Sequence, residues 1–335
     1  MSEHDNHIVC IGAVYIDTIL TVPHYPIEDE KLRAKKLIKR RGGNTANTLE
    51  VLQQLNSYAG GQNAEYSKLH LCSVLPDKES AAKHFIQQSL PGVNIDGSAV
   101  FREGAKEAAS SYILQNEQNL SRTIISINQL PEMTTEEFGE RVLQMARSHV
   151  GPKWEQMWFH FEGRIPDFTA QCVRFLRDEF PECRISVECE KPERTGMVEV
   201  ARMADVVFYS KLWATKWGFE DARSFLQAQL SDARDGAVLC CTWGAEGAAA
   251  VEKSGVNIRW AEVKGWQQEQ EQSQVVDTIG AGDTFIAGML YALNDMQDGW
   301  DLRSQINFAN ELAGRKVRQE GFGGLGRQMM TRIKS

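Results

Sequence analysis

A chain of 335 residues, 42% hydrophobic and 24% charged, is long enough to bury a substantial core as one large α/β domain or two modest ones. Its net charge of −8, with no cluster of Lys and Arg beyond residues 35–41, argues against a nucleic-acid footprint, and that short run reads as a solvated strand or turn face. No apolar stretch of about 18 residues exists to span a bilayer, the polar start bearing Glu3 and Asp5 is no signal peptide, and the cysteines form no C-x-x-C pair, so reduced thiols and a cytoplasmic setting are expected.

Residues 8–14 read as the first strand, with Asp17 just beyond it. Residues 18–40, which include Asp29, show shorter alternating segments that suit hairpins outside a main sheet. R-G-G-N-T-A-N at residues 41–47 is a glycine turn entering a helix over about 44–55, and it carries Gly43. Asn44 and Asn47, three apart, share a helix face, where their amides can donate to and accept from sugar hydroxyls or Asn44 can simply cap the helix. A strand at 69–75 and a helix at 78–89 follow.

Residues 99–127 form a second irregular region, in which 111–114 and 123–127 flank a turn-prone 116–121. Together with residues 18–40 it could make a lid. Beyond it the pattern settles into strands at 157–161, 185–187, 206–209 and 237–241, with helices at 135–148, 167–179, 222–233, 283–295 and 302–320. His160 falls inside one of these strands and reads as a packed core histidine. The alternation predicts an α/β fold with a mostly parallel sheet covered by helices on both faces, and no linker divides residues 1–335. Residues 267–274, rich in Gln and Glu, read as a solvated loop.

In open α/β sheets ligands sit beyond the carboxyl ends of the strands. There the chain places Glu162, Gly163 and Arg164, then Glu188, Glu190 and Lys191, then Lys211, then Trp243, Gly244, Ala245, Glu246 and Gly247. V-V-D-T-I-G-A-G-D-T-F at residues 275–285 adds a small-residue turn opening a helix. The amides of Gly280, Ala281 and Gly282 and the helix dipole attract an anion, while Asp283 beside them suits a base that takes the proton of an attacking hydroxyl. An N-capping Asp on an ordinary turn is the plainer alternative. G-x-G-x-x-G at residues 321–326 has no following βαβ unit and is no dinucleotide fingerprint, and neither a P-loop nor the protein-kinase motifs are present.

With G-G-N-T-A-N at 42–47 and D-T-I-G-A-G-D-T-F at 277–285, the chain resembles the ribokinase-like (PfkB) carbohydrate kinases over most of its length. H-F-E-G-R at 160–164, S-V-E-C-E-K-P at 186–192, D-V-V-F-Y-S-K at 205–211, C-T-W-G-A-E-G at 241–247 and G-F-G-G at 321–324 resemble a ketohexose-phosphorylating branch. The resemblance implies a three-layer α/β/α sandwich with a small β-clasp lid, formed by segments near 18–40 and 99–127, which can also pair two subunits. It implies an ATP- and Mg2+-dependent kinase of a primary sugar hydroxyl, fructose to fructose 1-phosphate. Other acceptors (ribose, an aldohexose, adenosine) and a silent sensor of sugar or nucleotide stay open.

By the same resemblance Asp283 would be the general base, Gly280, Ala281 and Gly282 the anion hole, and Arg122 would reach sugar and phosphates from the lid. Asp17, Asp29, Gly43, Asn44 and Asn47 would hold the sugar, with Arg164 on the substrate side. Lys211, the 243–247 turn and Asn310 would line the nucleotide site. The N-x-x-E motif used near the metal by many relatives is absent around residues 210–214, so no protein ligand to magnesium is assigned.

Overall fold

The computed structural model describes residues 6–59, 66–119, 121–147, 153–267, 275–296 and 299–333. The polar start at 1–5, turn residue 120, helix end 148 and most of the Gln/Glu-rich stretch, 268–274, lie outside them. In chain order the strands are β1 (His7–Ile11), β2 (Tyr15–Val22), β3 (Lys36–Gly42), β4 (Lys68–Cys72), β5 (Val74–Leu75), β6 (Val93–Asn94), β7 (Val100–Phe101), β8 (Ser110–Asn116), β9 (Arg122–Ile127), β10 (Met157–Phe161), β11 (Arg184–Cys189), β12 (Val206–Tyr209), β13 (Val238–Thr242), β14 (Ala248–Ser254) and β15 (Asn257–Val263). The helices are α1 (Asn44–Ala59), α2 (Ala81–Ser89), α3 (Thr135–Arg147), α4 (Pro166–Glu179), α5 (Met197–Met203), α6 (Lys211–Lys216), α7 (Ala222–Gln229), α8 (Ala281–Asp295), α9 (Leu302–Lys316) and α10 (Leu325–Ile333).

A nine-stranded sheet runs β15-β14-β13-β12-β11-β10-β1-β4-β6, parallel from β13 to β6 and antiparallel where β14 and β15 close one edge. Successive side chains leave a strand on opposite faces. Ile8 and Cys10 of β1 therefore join a core with Leu49, Leu52 and Leu55 of α1 and the apolar faces of α8, α9 and α10. Val9 and Ile11 join a second core, with Phe138 of α3, Val173 and Leu176 of α4 and Phe225 of α7. This is the expected three-layer α/β/α arrangement. All seven cysteines are buried and free, and burial pushes the thiols of Cys10, Cys72, Cys172, Cys183, Cys189, Cys240 and Cys241 up.

Helix boundaries follow local chemistry. Ser80, Asp221 and Asp301 each accept from a backbone N–H three residues on, capping α2, α7 and α9. Helix α8 is buried along most of its length, and Gly288 lets it press on α9, since a Cβ there would stand 2.7 Å from the Ala309 Cα. No helix among the described residues is long and apolar enough to cross a membrane.

The irregular regions make a separate four-stranded sheet, β3-β2-β8-β9. Its two outer pairs are antiparallel, as expected, but the central pair β2–β8 is parallel, because the two hairpins come from distant parts of the chain and lie side by side. Residues 99–109 are not part of it: β7 pairs with β5 and Val100 is buried in the main domain. β14, β15, α5, α6 and α10 add to the elements expected from the sequence.

Candidate active site

A cavity of about 450 Å³ opens beyond the carboxyl ends of the main sheet, walled by the four-stranded sheet and the first turns of α1 and α8. Asp17 of β2, Gly43, Asn44 and Asn47 of the α1 turn, and Gly280, Gly282 and Asp283 of the α8 turn all line it. The local reason is connectivity. β3 delivers the chain into α1 through Gly43, whose φ of 99° suits glycine and whose added Cβ would meet the Ala13 carbonyl at 2.3 Å.

Asp283 is buried, yet one of its oxygens is accounted for: Asn47 Nδ2 donates to Oδ2 at 2.7 Å. Oδ1 has no hydrogen-bond partner among the described residues. Asn47 is itself fixed, because Arg41 Nη1 donates to its Oδ1 at 2.6 Å and Arg41 Nη2 pairs with Glu50. Burial pushes the Asp283 carboxyl up to about 7; the Asn47 bond and the Arg41 charge pull it down, while Glu190 and Glu162 push it further up. Such a carboxylate is a far better base near neutrality than an exposed one.

The α8 turn is shaped for an anion. Gly280 has φ 75° and packs against Phe322, so that a Cβ would stand 2.4 Å from its ring. Gly282 differs: a Cβ there would meet nothing within 4 Å among the described residues beyond its own helix turn. Neither packing nor positive φ demands glycine at 282, and glycine in a helix costs about 1 kcal/mol against alanine. Close approach of a ligand to the backbone is the physical use left for it. Ahead of this turn Asp277 accepts from the Ile279 N–H at 3.0 Å, and the buried Lys316 ammonium donates to the Asp277 carboxylate and carbonyl, each at 3.0 Å.

Opposite stands a wall of acids. Glu162 is buried, accepts from the Ala13 N–H at 2.8 Å, and is pushed up by burial. Glu188 is pushed well above the usual carboxylate range by burial and by the neighbouring charges of Asp283, Glu162 and Glu190. A relay supports it: the donor-only indole of Trp158 bonds Ser186 Oγ at 2.9 Å, Ser186 bonds His160 Nδ1 at 2.8 Å, and His160 Nε2 reaches Glu188 at 3.1 Å. Burial pulls His160 down to about 3, so it is a neutral core histidine, as its strand position predicts. Asn44 Nδ2 donates to Glu190 at 3.3 Å. Among the described residues no group of three or more His, Cys, Asp or Glu could hold a metal alone. Of the carboxylates that line the cavity, Glu188 and Glu190 fit magnesium, which takes one or two carboxylates together with substrate phosphates.

The remaining expected residues divide. Lys211 pairs with Glu246 at 2.8 Å and lies 5.1 Å over the Trp243 ring. Ala245 and Gly247 pack against Gly265, and Asn310 donates to the adjacent Lys264 carbonyl at 2.8 Å, so Lys211, the turn at Gly244 and Asn310 gather on one flank, beside the cavity residue Thr242. Arg122 reaches Asp277 at 3.8 Å from β9. Asp29 is not brought to the cavity: it is exposed, with φ 62°, in the loop between β2 and β3. Arg164 is also elsewhere, paired with Glu132 in a smaller cavity of about 50 Å³ that shares Glu162. The reading of residues 35–41 as a solvated face fails at its end, since Arg41 is 4% exposed and holds Asn47. Arg40 and Asp277 carried no signal beyond their nearness to the two glycine turns, and Lys316, inside α9, carried none.

Residues 177–325 match the model of the pfkB family carbohydrate kinases. The chain is 28% identical over 328 residues to ketohexokinase of Mus musculus, covering 96% of this chain and 99% of that one. Its fold is similar to that of Arabidopsis thaliana ribokinase complexed with ribose and ATP, with a TM-score of 0.71, 17% identity and 99% of each chain covered. It is likewise similar to adenosine kinase from Sinorhizobium meliloti, with a TM-score of 0.71, 17% identity, and 99% and 100% covered.

Proposed function

We propose that the chain, whose residues 177–325 match the model of the pfkB family carbohydrate kinases, moves the terminal phosphate of ATP to a primary hydroxyl of a ketohexose, with fructose the first substrate to test. One observation carries the reading: a buried carboxylate, Asp283, with one oxygen held by Asn47 and the other without a partner among the described residues, lines a cavity directly after Gly282, beside which space is open for a ligand.

In this mechanism Asp17 and the amides of Asn44 and Asn47 bind the sugar hydroxyls. The acceptor oxygen forms its bond to the terminal phosphorus as the bond to the bridging oxygen of ADP breaks, and the acceptor proton passes to Asp283 Oδ1. The first-turn amides at Gly280–Gly282 and the Arg122 guanidinium stabilise charge on the transferring group; loss of one such donor costs about 3 to 4 kcal/mol of barrier. Lys211, the 243–247 turn and Asn310 hold the nucleotide. Glu190, backed by Glu188, would hold magnesium carried with ATP, and that ion would supply neutralisation of phosphate charge when bound. Closure of the four-stranded sheet over the cavity excludes water, the competing acceptor.

The ketose reading rests on the likeness to ketohexokinase along nearly the whole chain, while ribose and adenosine remain the rival acceptors. A panel of fructose, tagatose, ribose, glucose and adenosine with magnesium ATP tests it. ATP consumption driven by fructose above the others supports the reading; preference for ribose or adenosine replaces the substrate; thermal stabilisation by ligands without ATP consumption replaces the kinase by a sensor.

A further inference from the structure

We infer that Arg40, which no expectation placed in the site, is a second phosphoryl-gripping side chain that works with Arg122 and rests on Asp277 until the terminal phosphate arrives. The inference builds on the kinase reading above.

Arg40 and Arg122 come from β3 and β9, the two outer strands of the four-stranded sheet, yet both reach one carboxylate. Arg40 Nη1 is 3.8 Å from Asp277 Oδ2 and Arg122 Nη1 is 3.8 Å from Asp277 Oδ1. Arg40 Nε is also 3.8 Å from Asp17 Oδ2, so its guanidinium bridges the sugar-side acid and the acid ahead of the anion turn. At that length none of these is a good hydrogen bond. Asp277 has meanwhile been neutralised at close range by Lys316, whose Nζ sits 3.0 Å from Oδ2.

Three cations thus face one carboxylate, and two of them are held only loosely. A guanidinium fork prefers paired oxygens in a plane, which a phosphate offers and a carboxylate already bonded to Lys316 does not. The terminal phosphate carries more charge and would lie beyond the amides at Gly280–Gly282, a short step from Asp277. The two arginines then straddle the group from opposite edges of the closing sheet, while Lys316 keeps Asp277 from following them.

Calorimetric titration of the full chain with the magnesium complexes of ADP and of the β,γ-imido analogue of ATP tests this, on the unaltered protein, Arg40→Gln and Arg40→Lys, with melting curves to confirm folding. Arg40→Gln should weaken the imido analogue about tenfold and leave ADP within about twofold, with Arg40→Lys in between. Equal losses for both nucleotides or no loss for either would overturn the inference. Binding of neither nucleotide by the unaltered protein would instead bring down the kinase reading, and this inference with it.

Discussion

Asn47 and Asp283, 236 positions apart, are joined by a 2.7 Å hydrogen bond that makes the starts of α1 and α8 one device. Asn47 spends its carbonyl on Arg41, so its amide can only donate to the carboxylate, holding Oδ2 and aiming Oδ1. This bond also pulls the Asp283 carboxyl down against burial. Asn47→Ala is expected to lower kcat by about 10- to 100-fold and to move the acid limb of the pH–kcat/KM profile to higher pH. A profile unmoved beneath a large loss of kcat would leave Asn47 a sugar contact only.

Burial pushes the Asp283 carboxyl up to about 7 in the folded chain, above its ordinary value, and the two consequences have opposite signs. The base must be ionised, so kcat/KM should fall as pH drops below about 7. A folded-state value above the unfolded one means that the folded form binds the extra proton, so this group lowers stability progressively as pH rises through that window. Asp283→Asn should therefore cut kcat by about 10²- to 10⁴-fold with nucleotide binding kept, yet stabilise the unliganded protein at pH 8 by roughly 2 to 4 kcal/mol relative to pH 4. Denaturant melts at both pH values and steady-state rates measure the two effects separately.

Gly282 offers a cleaner probe of the anion turn, since a methyl group there would meet nothing within 4 Å among the described residues beyond its own turn. Gly282→Ala is expected to fold as well as the unaltered chain or to gain up to about 1 kcal/mol. It should lose at least about tenfold in kcat/KM for ATP if the phosphate comes against the backbone. Full activity in a folded variant would remove the turn from the transition state.

The outward face of the four-stranded sheet carries Leu37, Tyr112, Ile125 and Ile127, all exposed, and strand register puts Tyr112 opposite Ile125. We propose that a second copy of the chain covers it. Sedimentation should then show a dimer that Tyr112→Ser with Ile125→Asp converts to monomer; a monomer for the unaltered chain at micromolar concentration removes the pairing.

Elements with a strong local signature were legible. Met157–Phe161, apolar except for His160, and the apolar run Val206–Tyr209 occur as read, and α1 begins at the asparagine that follows two glycines. The α8 turn was legible because small residues ahead of a buried acid have few structural uses. What escaped depends on long-range pairing. β14 and β15 alternate too weakly to announce an edge hairpin, and β2 pairs parallel with β8 across some 90 residues of chain. Arg40, Lys316 and Asp277 gain meaning only from one another, and no spacing rule links three positions that far apart. Asp29 and Arg164 carried suitable side chains, but the loop conformation of one and the Glu132 partner of the other direct them elsewhere.

The buried, protonated thiols leave the molecule chemically silent toward maleimides. One cysteine placed at exposed Glu28, in the loop between β2 and β3, and another at exposed Val256 would be the only reactive sites, so a dye pair could be attached to the otherwise unaltered sequence. Energy transfer between them would report each opening and shutting of the small sheet during turnover, with no cysteine-free background to build first.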